Sequence, residues 1–266
     1  MRKLIFIAVM SAFVAAPAMA DHLGTVNLYE TTVSPGTTMG VNSSGYDGNA
    51  WVGVYNIQLS GVAGVPAYMN PYLTGNVQSF CIDLWDNSYL LSEHSTPHPY
   101  DVHTLNQTPD PMEAPGGVGM GAARAGYLAT LLDKYWVANL TSNEAAALQT
   151  AVWEIVDEAR TVAPDPTTWN ARNDNALGTL PAIGNFYISN DTIANRANQM
   201  LAFVAGAGMS PYGSYVGLWD HSIDETGPYG GLSQWQDYVV RVPVPAAVLL
   251  GMLGLGVAGL KLRKFA

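Results

Sequence analysis

Each end of the chain has an apolar segment beside basic residues. We therefore expect the globular domain to lie between these two segments. In residues 1–20, Met1 is followed by two basic residues and then mainly by apolar residues, and the segment ends in Ala-Met-Ala. This order is typical of a secretory signal peptide and predicts cleavage before Asp21. The alternative, a retained N-terminal anchor, requires a longer apolar run than this one.

The C-terminal segment, residues 242–266, has three parts in a fixed order. A Val-Pro-Val-Pro run comes first, an uncharged and almost wholly apolar stretch at 244–260 follows, and a basic tail ends the chain. As a helix that stretch is about 26 Å long, at ~1.5 Å per residue, close to the roughly 30 Å core of a bilayer. We therefore expect a transmembrane helix with its basic tail on the cytoplasmic side.

The body between these ends is strongly acidic. Residues 21–241 contain all 21 acidic residues but only 6 basic ones, a net charge of −15. Such a surface repels nucleic-acid phosphates and anionic lipid headgroups, which excludes nucleic acid as a partner. The chain has a single cysteine, Cys81, so an internal disulfide and a Cys-based zinc site are also excluded.

Hydrophobic patterning predicts an α+β domain. Short β-type runs separated by turn residues come first, at 25–29, 51–59 and 77–84. Residues 92–119 contain five prolines and show no periodicity, which predicts a surface loop. Amphipathic helices are predicted at 122–138, 141–159 and 191–205, and further strands at 215–219 and 236–242. This order favours a β-sandwich or barrel with a helical insertion at about 120–206.

Two residues of this body could carry chemistry together. Cys81 lies in a strand-like Phe-Cys-Ile-Asp run, and Asp83 faces the same side of such a strand. Gln149 lies on the second predicted helix, where its neighbours at i+3, i+4 and i+7 are apolar, so its amide borders the apolar stripe. The alternatives are that Cys81 is a small buried hydrophobic residue and that Gln149 binds a loop backbone.

The Phe-Cys-Ile-Asp run and the Gln-Thr-Ala-Val-Trp run that starts at Gln149 together resemble the thioester domains of bacterial surface adhesins. The resemblance covers about residues 75–160, and Leu148 replaces the Thr of the family's Thr-Gln-x-Ala signature. It implies a bond between Cys81 Sγ and Gln149 Cδ, formed with loss of ammonia. An amine or hydroxyl group of a target would then attack the thioester, which gives one covalent attachment without turnover, so the protein is not an enzyme.

Such a bond requires a site that orients the sulfur, polarises the amide and excludes water. We expect Asp83 to accept a proton or to orient the thiol, and Trp153 to shield the bond. The alternatives are that Asp83 is a turn-capping or solvent-exposed carboxylate and that Trp153 only fills the core. No cofactor or metal is expected, because His94, His98, His103 and Asp101 are irregularly spaced.

The C-terminal segment resembles the PEP-CTERM sorting signal of Gram-negative bacteria, in particular its Val-Pro-Leu-Pro-Ala variant. The resemblance covers about the last 25 residues, with Val244 where the commonest form has Glu. It implies processing by signal peptidase and an exosortase, with transient anchoring in the inner membrane. The alternative is a permanent single-pass anchor. The residues that match this signal are Val242, Pro243, Val244, Pro245, Arg263 and Lys264.

The sequence thus predicts an exported cell-surface or extracellular-matrix protein. Its thioester would attach it to a surface protein, a polysaccharide or another target that bears an amine or hydroxyl. One alternative is a noncovalent structural or carbohydrate-binding matrix protein that forms no thioester. Another is a cysteine hydrolase that pairs Cys81 with a histidine such as His103.

Overall fold

The computed structural model describes residues 22–43, 46–84, 96–108, 119–157, 163–171, 187–220 and 235–243. The strands are β1 (His22–Ser43), β2 (Tyr46–Ala63), β3 (Gly75–Cys81), β4 (His98–Thr104), β5 (Tyr187–Ile188), β6 (Tyr215–Asp220) and β7 (Tyr238–Arg241). The helices are α1 (Gly121–Tyr135), α2 (Ser142–Asp157) and α3 (Asp191–Ala207), and two 3-10 turns lie at Asn70–Tyr72 and Leu105–Gln107.

Six strands form a closed antiparallel barrel. Their order is β1-β2-β3-β7-β6-β4, and β4 completes the ring by pairing with β1. Strand β1 pairs with β4 only as far as Leu28, and β2 pairs with β3 only from Tyr55 onward. Beyond these points β1 and β2 continue together as a two-stranded ribbon, to which β5 adds at Val41 and Asn42.

Cross-strand partners share a face of the sheet, and this identifies the residues that face the barrel interior. One chain of partners runs from Val102 on β4 to Leu218 on β6, then to Tyr238 on β7 and to Cys81 on β3. All four side chains are buried. Cys81 therefore lies on the inner face, at the end of its strand.

Helix α2 is buried along most of its length. Every side chain from 145 through 156 is buried, because the helix packs against α1 and α3 and against the ribbon of β1 and β2. Several of these residues are alanines, which allow neighbouring backbones to approach closely. At the start of the helix, Thr141 Oγ1 accepts a hydrogen bond from the Glu144 N–H at 3.3 Å.

The predicted α+β class is confirmed, with a barrel rather than a sandwich and with the three helices between β4 and β6. The prediction of a surface loop over 92–119 is wrong in part, because β4 lies within it and pairs with both β1 and β6. Tyr100 and Val102 are buried in the interior, while Asp101 between them is only partly buried. Because prolines and histidines surround these three residues, their alternation of buried and partly buried side chains is hard to recognise in the sequence.

The predicted targeting segments lie almost entirely outside the described residues. This holds for the signal peptide, for the C-terminal transmembrane helix, and for Val244, Pro245, Arg263 and Lys264. In the part of the chain that the structure describes, no helix is both long enough and apolar enough to cross a bilayer. Val242 is fully buried and its N–H donates to Ser214 O at 2.8 Å, so the first residue of the predicted sorting motif packs against the body.

Candidate functional site

Cys81 and Gln149 are 68 residues apart in sequence, and the fold brings them into direct contact. Cys81 is the last residue of β3, Gln149 lies in the middle of α2, and both are fully buried. The Cys81 N–H donates to Gln149 Oε1 at 2.9 Å, and Gln149 Nε2 donates to the Cys81 carbonyl oxygen at 2.7 Å. The side-chain amide of the glutamine is therefore aligned along the backbone of the cysteine.

The geometry of the barrel explains why a glutamine fits at this position. In an antiparallel sheet, successive residues direct their backbone N–H and C=O groups to opposite neighbouring strands. The Ile82 N–H donates to Asp237 O at 3.0 Å and therefore points toward β7. The backbone N–H and C=O of the preceding residue, Cys81, consequently point away from β7. On that side β2 has already left β3 to follow β1. The Gln149 carboxamide takes the place of the missing strand residue.

Two polar groups of described residues contact the Cys81 sulfur. Trp153 Nε1 donates a hydrogen bond to Sγ at 3.3 Å, and the thiol donates to the carbonyl oxygen of Asp83 at 2.6 Å. Trp153 lies one helical turn after Gln149, so α2 presents the amide and the indole to the same cysteine. Cys81 is buried and forms no disulfide, and Trp153 is buried beside it.

Asp83 contacts the thiol in a way that the sequence does not indicate. Its backbone carbonyl, rather than its carboxylate, accepts the hydrogen bond from Cys81 Sγ. The same carbonyl also accepts a hydrogen bond from Gln236 Nε2 at 3.2 Å. Asp83 is buried, so it is not the solvent-exposed carboxylate of the alternative interpretation. Its observed contact with the sulfur can orient the thiol.

A group of buried polar residues supports this site and was missed by the sequence analysis. Asp220 accepts hydrogen bonds from the Trp235 N–H at 2.6 Å and from His98 Nε2 at 2.7 Å when that nitrogen is protonated. Asp237 accepts a hydrogen bond from the Asp220 N–H at 3.0 Å. Together they fix the segment that presents Gln236 to Asp83. The only sequence signal is that Asp220 ends β6 and Asp237 directly precedes β7, and no characteristic spacing connects them.

The structure does not bring Cys81 and His103 together. Cys81 shares the inner face with Leu218, whereas His103 pairs with Gly217 and His22 on the opposite face of the sheet. The hydrolase pairing therefore gains no support. Across the described ranges, no group of three or more His, Cys, Asp or Glu side chains is arranged to hold a metal ion. His94 lies outside those ranges.

The arrangement permits two kinds of role. The Cys81 N–H donates to Gln149 Oε1, so it would polarise that carbonyl for attack by the sulfur, as an oxyanion hole does. The site is also closed to water, which favours survival of a thioester. The same two hydrogen bonds from the Gln149 carboxamide also satisfy the backbone N–H and C=O of Cys81 at the end of β3, and this role requires no covalent bond.

Comparison of the chain with protein-family models, with curated proteins and with solved structures finds no significant match. Any functional assignment therefore depends on the geometry of the site and on the sequence motifs.

Proposed function

We propose that this is an exported surface or matrix protein whose Cys81 and Gln149 form an internal thioester for covalent attachment to a target. The observation that supports it best is the direct contact of the two residues in a buried site, with Oε1 of the amide on the Cys81 N–H. The resemblance to adhesin thioester domains names this same pair.

Neither formation of the thioester nor its reaction with a target requires a cofactor. The Cys81 sulfur attacks Gln149 Cδ, the bond from Cδ to Nε2 breaks, and the nitrogen leaves as ammonia with the thiol proton. An amine of the target later attacks Cδ, the C–S bond breaks, and Cys81 becomes a thiol again. Gln149 is then joined to the target through an amide, or through an ester where the nucleophile is a hydroxyl. Each molecule reacts once.

Three features of the site support this proposal. Trp153 donates to the sulfur, which stabilises the negative charge that the attacking thiol must develop. The Asp83 carbonyl holds the thiol in one orientation. Burial keeps bulk water away from the bond once it has formed. Export to the cell surface or matrix is proposed from the two terminal sequence motifs.

Intact-mass analysis of the purified mature protein tests the proposal. The protein is expected to weigh one ammonia molecule less than its sequence, and Cys81→Ala and Gln149→Ala should each remove the deficit. Gln58→Ala, a change at an exposed glutamine on β2, is the matched control and should keep it. Full sequence mass, together with complete alkylation of Cys81 in freshly purified protein, would contradict the proposal.

The hydrogen bonds themselves favour a second candidate, a noncovalent structural matrix protein. Gln149 binds the backbone of Cys81 at two atoms, which is a sufficient reason for a buried glutamine at a strand end. In this case neither the wild type nor Cys81→Ser shows a mass deficit against its own sequence. Cys81→Ser also retains the target as well as the wild type does, because serine keeps both backbone groups. Under the thioester proposal the same variant loses covalent capture of a labelled amine.

A further inference from the structure

A groove of about 340 Å³ lies on the outer side of the barrel, away from Cys81. It runs between the 3-10 turn at Asn70–Tyr72 and the residue that follows α1. Its volume is at the lower end of the roughly 300–1,000 Å³ that is usual for small-ligand sites. The lining residues used below are Tyr72, Thr74, Asn76, Gln78, Trp136 and Arg241.

Within the described ranges, Arg241 is the only charged residue that lines this groove. Its guanidinium lies 4.9 Å from the centre of the Trp136 ring, and its Nη2 donates to Leu132 O at 3.1 Å and to Tyr215 Oη at 3.2 Å. Among the described residues, Nε and Nη1 make no hydrogen bond. The guanidinium is thus held in one orientation, and its Nε–H and Nη1–H groups, on either side of the occupied Nη2, remain as single donors for a carboxylate oxygen.

The groove also offers an aromatic ring and neutral polar groups. Tyr72 is 41% exposed, while Trp136 is 7% exposed and packs edge-to-face against Phe80, with 5.0 Å between the two ring centres. Asn76 and Gln78 lie on the same outward face of β3, and both are exposed. Their amides provide donors and acceptors suited to hydroxyl groups.

We propose that this groove binds a sugar residue that carries a single carboxylate, namely a uronic acid within a polysaccharide. Arg241 would bind the carboxylate, Tyr72 would pack against the C–H face of the ring, and Asn76 and Gln78 would bind hydroxyls. A dense polyanion does not fit, because one cation serves the groove of a chain whose net charge is −10.

This site does not depend on the proposed thioester. Cys81 faces the barrel interior, whereas Gln78 and Arg241 line a groove outside it, and the binding is reversible. The uronic-acid site therefore survives failure of the thioester proposal, and the thioester survives failure of this one.

The test uses two disaccharides that differ only in charge. Cellobiouronic acid carries one carboxylate, and cellobiose carries a hydroxymethyl group at the same position. Each is titrated into the purified protein and followed by NMR chemical shifts. We expect at least tenfold tighter binding of the acid. Arg241→Gln should reduce its affinity to that of cellobiose, and Tyr72→Ala should weaken both sugars.

The matched control is Arg196→Gln. Arg196 also lies over an aromatic ring, that of Tyr135, but it does not line the groove. This variant should leave both affinities unchanged. If Arg241→Gln impairs folding, the exposed substitutions Tyr72→Ala and Gln78→Ala decide the question. No saturable binding, equal binding of the two sugars, or unchanged affinities in the groove variants would overturn the proposal.

Discussion

At the scale of single residues, Gln149 joins the helical layer to the barrel through two hydrogen bonds to the backbone of Cys81. It supplies the hydrogen bonds that β2 would have made to Cys81 had it continued along β3. The resemblance of the two motifs to adhesin thioester domains implies that Cys81 and Gln149 meet. The sequence could not predict that the amide binds the cysteine backbone, since that depends on where β2 diverges.

Loss of the Gln149 amide should destabilise the fold even without a thioester. Comparing Cys81→Ser with the double variant Cys81→Ser/Gln149→Ala isolates this effect, because neither protein can form the bond. We expect a loss of roughly 3 kcal/mol, since each unsatisfied buried backbone group costs about 1–3 kcal/mol. Urea unfolding measures it, and Gln58→Ala in the same background should change little. Equal midpoints would show that water replaces the amide.

Trp153 is predicted to assist formation of the bond rather than only to fill space. Trp153→Phe keeps an aromatic ring but removes the N–H that donates to Cys81 Sγ. The fraction of molecules lacking ammonia should fall several-fold under identical expression and purification. Trp169→Phe, at a nearly buried tryptophan elsewhere, is the control. An undiminished fraction in Trp153→Phe would limit its role to packing.

At the scale of elements, the helices were the easiest to predict and β4 the hardest. The apolar periodicity of α1 and α2 sets their positions to within a few residues. Strand β4 has only two interior apolar residues, Tyr100 and Val102, between prolines and histidines, so its pattern is too short to recognise. Its place in the barrel comes from long-range pairing with β1 and β6, which no local signal encodes.

The N-terminus of α3 provides a prediction at this scale. Asn190 Oδ1 accepts hydrogen bonds from the N–H groups of Thr192 and Ile193, at 3.1 and 3.2 Å. Asn190→Ala should cost about 1 kcal/mol of stability in urea unfolding, as is usual for a lost N-cap. Asn143→Ala, at an exposed asparagine near the start of α2, should be close to neutral. Because α3 does not contribute to the Cys81 site, the mass deficit should persist in both variants.

At the scale of the whole molecule, the barrel interior contains ionisable groups as well as apolar ones. Tyr238 Oη donates to Glu30 Oε2 at 2.7 Å, and both residues are buried. Burial, and then the nearby charge of Glu30, raise the pKa of Tyr238 well above its ordinary value. The interior therefore favours the protonated phenol.

This arrangement predicts a loss of stability at alkaline pH. Once the pH exceeds about 10, the tyrosine of the unfolded chain loses its proton while the folded Tyr238 keeps it, so the free energy of unfolding falls. Tyr238→Phe should be less stable than the wild type at about pH 8, because Glu30 loses its hydrogen bond, but should lose less stability by about pH 11. Urea unfolding across this range measures both slopes. If the free energy of unfolding falls equally with pH in the wild type and in Tyr238→Phe, the raised pKa of Tyr238 is contradicted.

We propose that a thioester joins Cys81 and Gln149 in the mature protein. Proteolysis at acidic pH, which preserves thioesters, followed by mass spectrometry of the peptides tests it most directly. We expect a single species that contains both the Cys81 peptide and the Gln149 peptide, lighter than their sum by one ammonia and separable by hydroxylamine. Two separate peptides, with an unmodified glutamine and a freely alkylated cysteine, would contradict it.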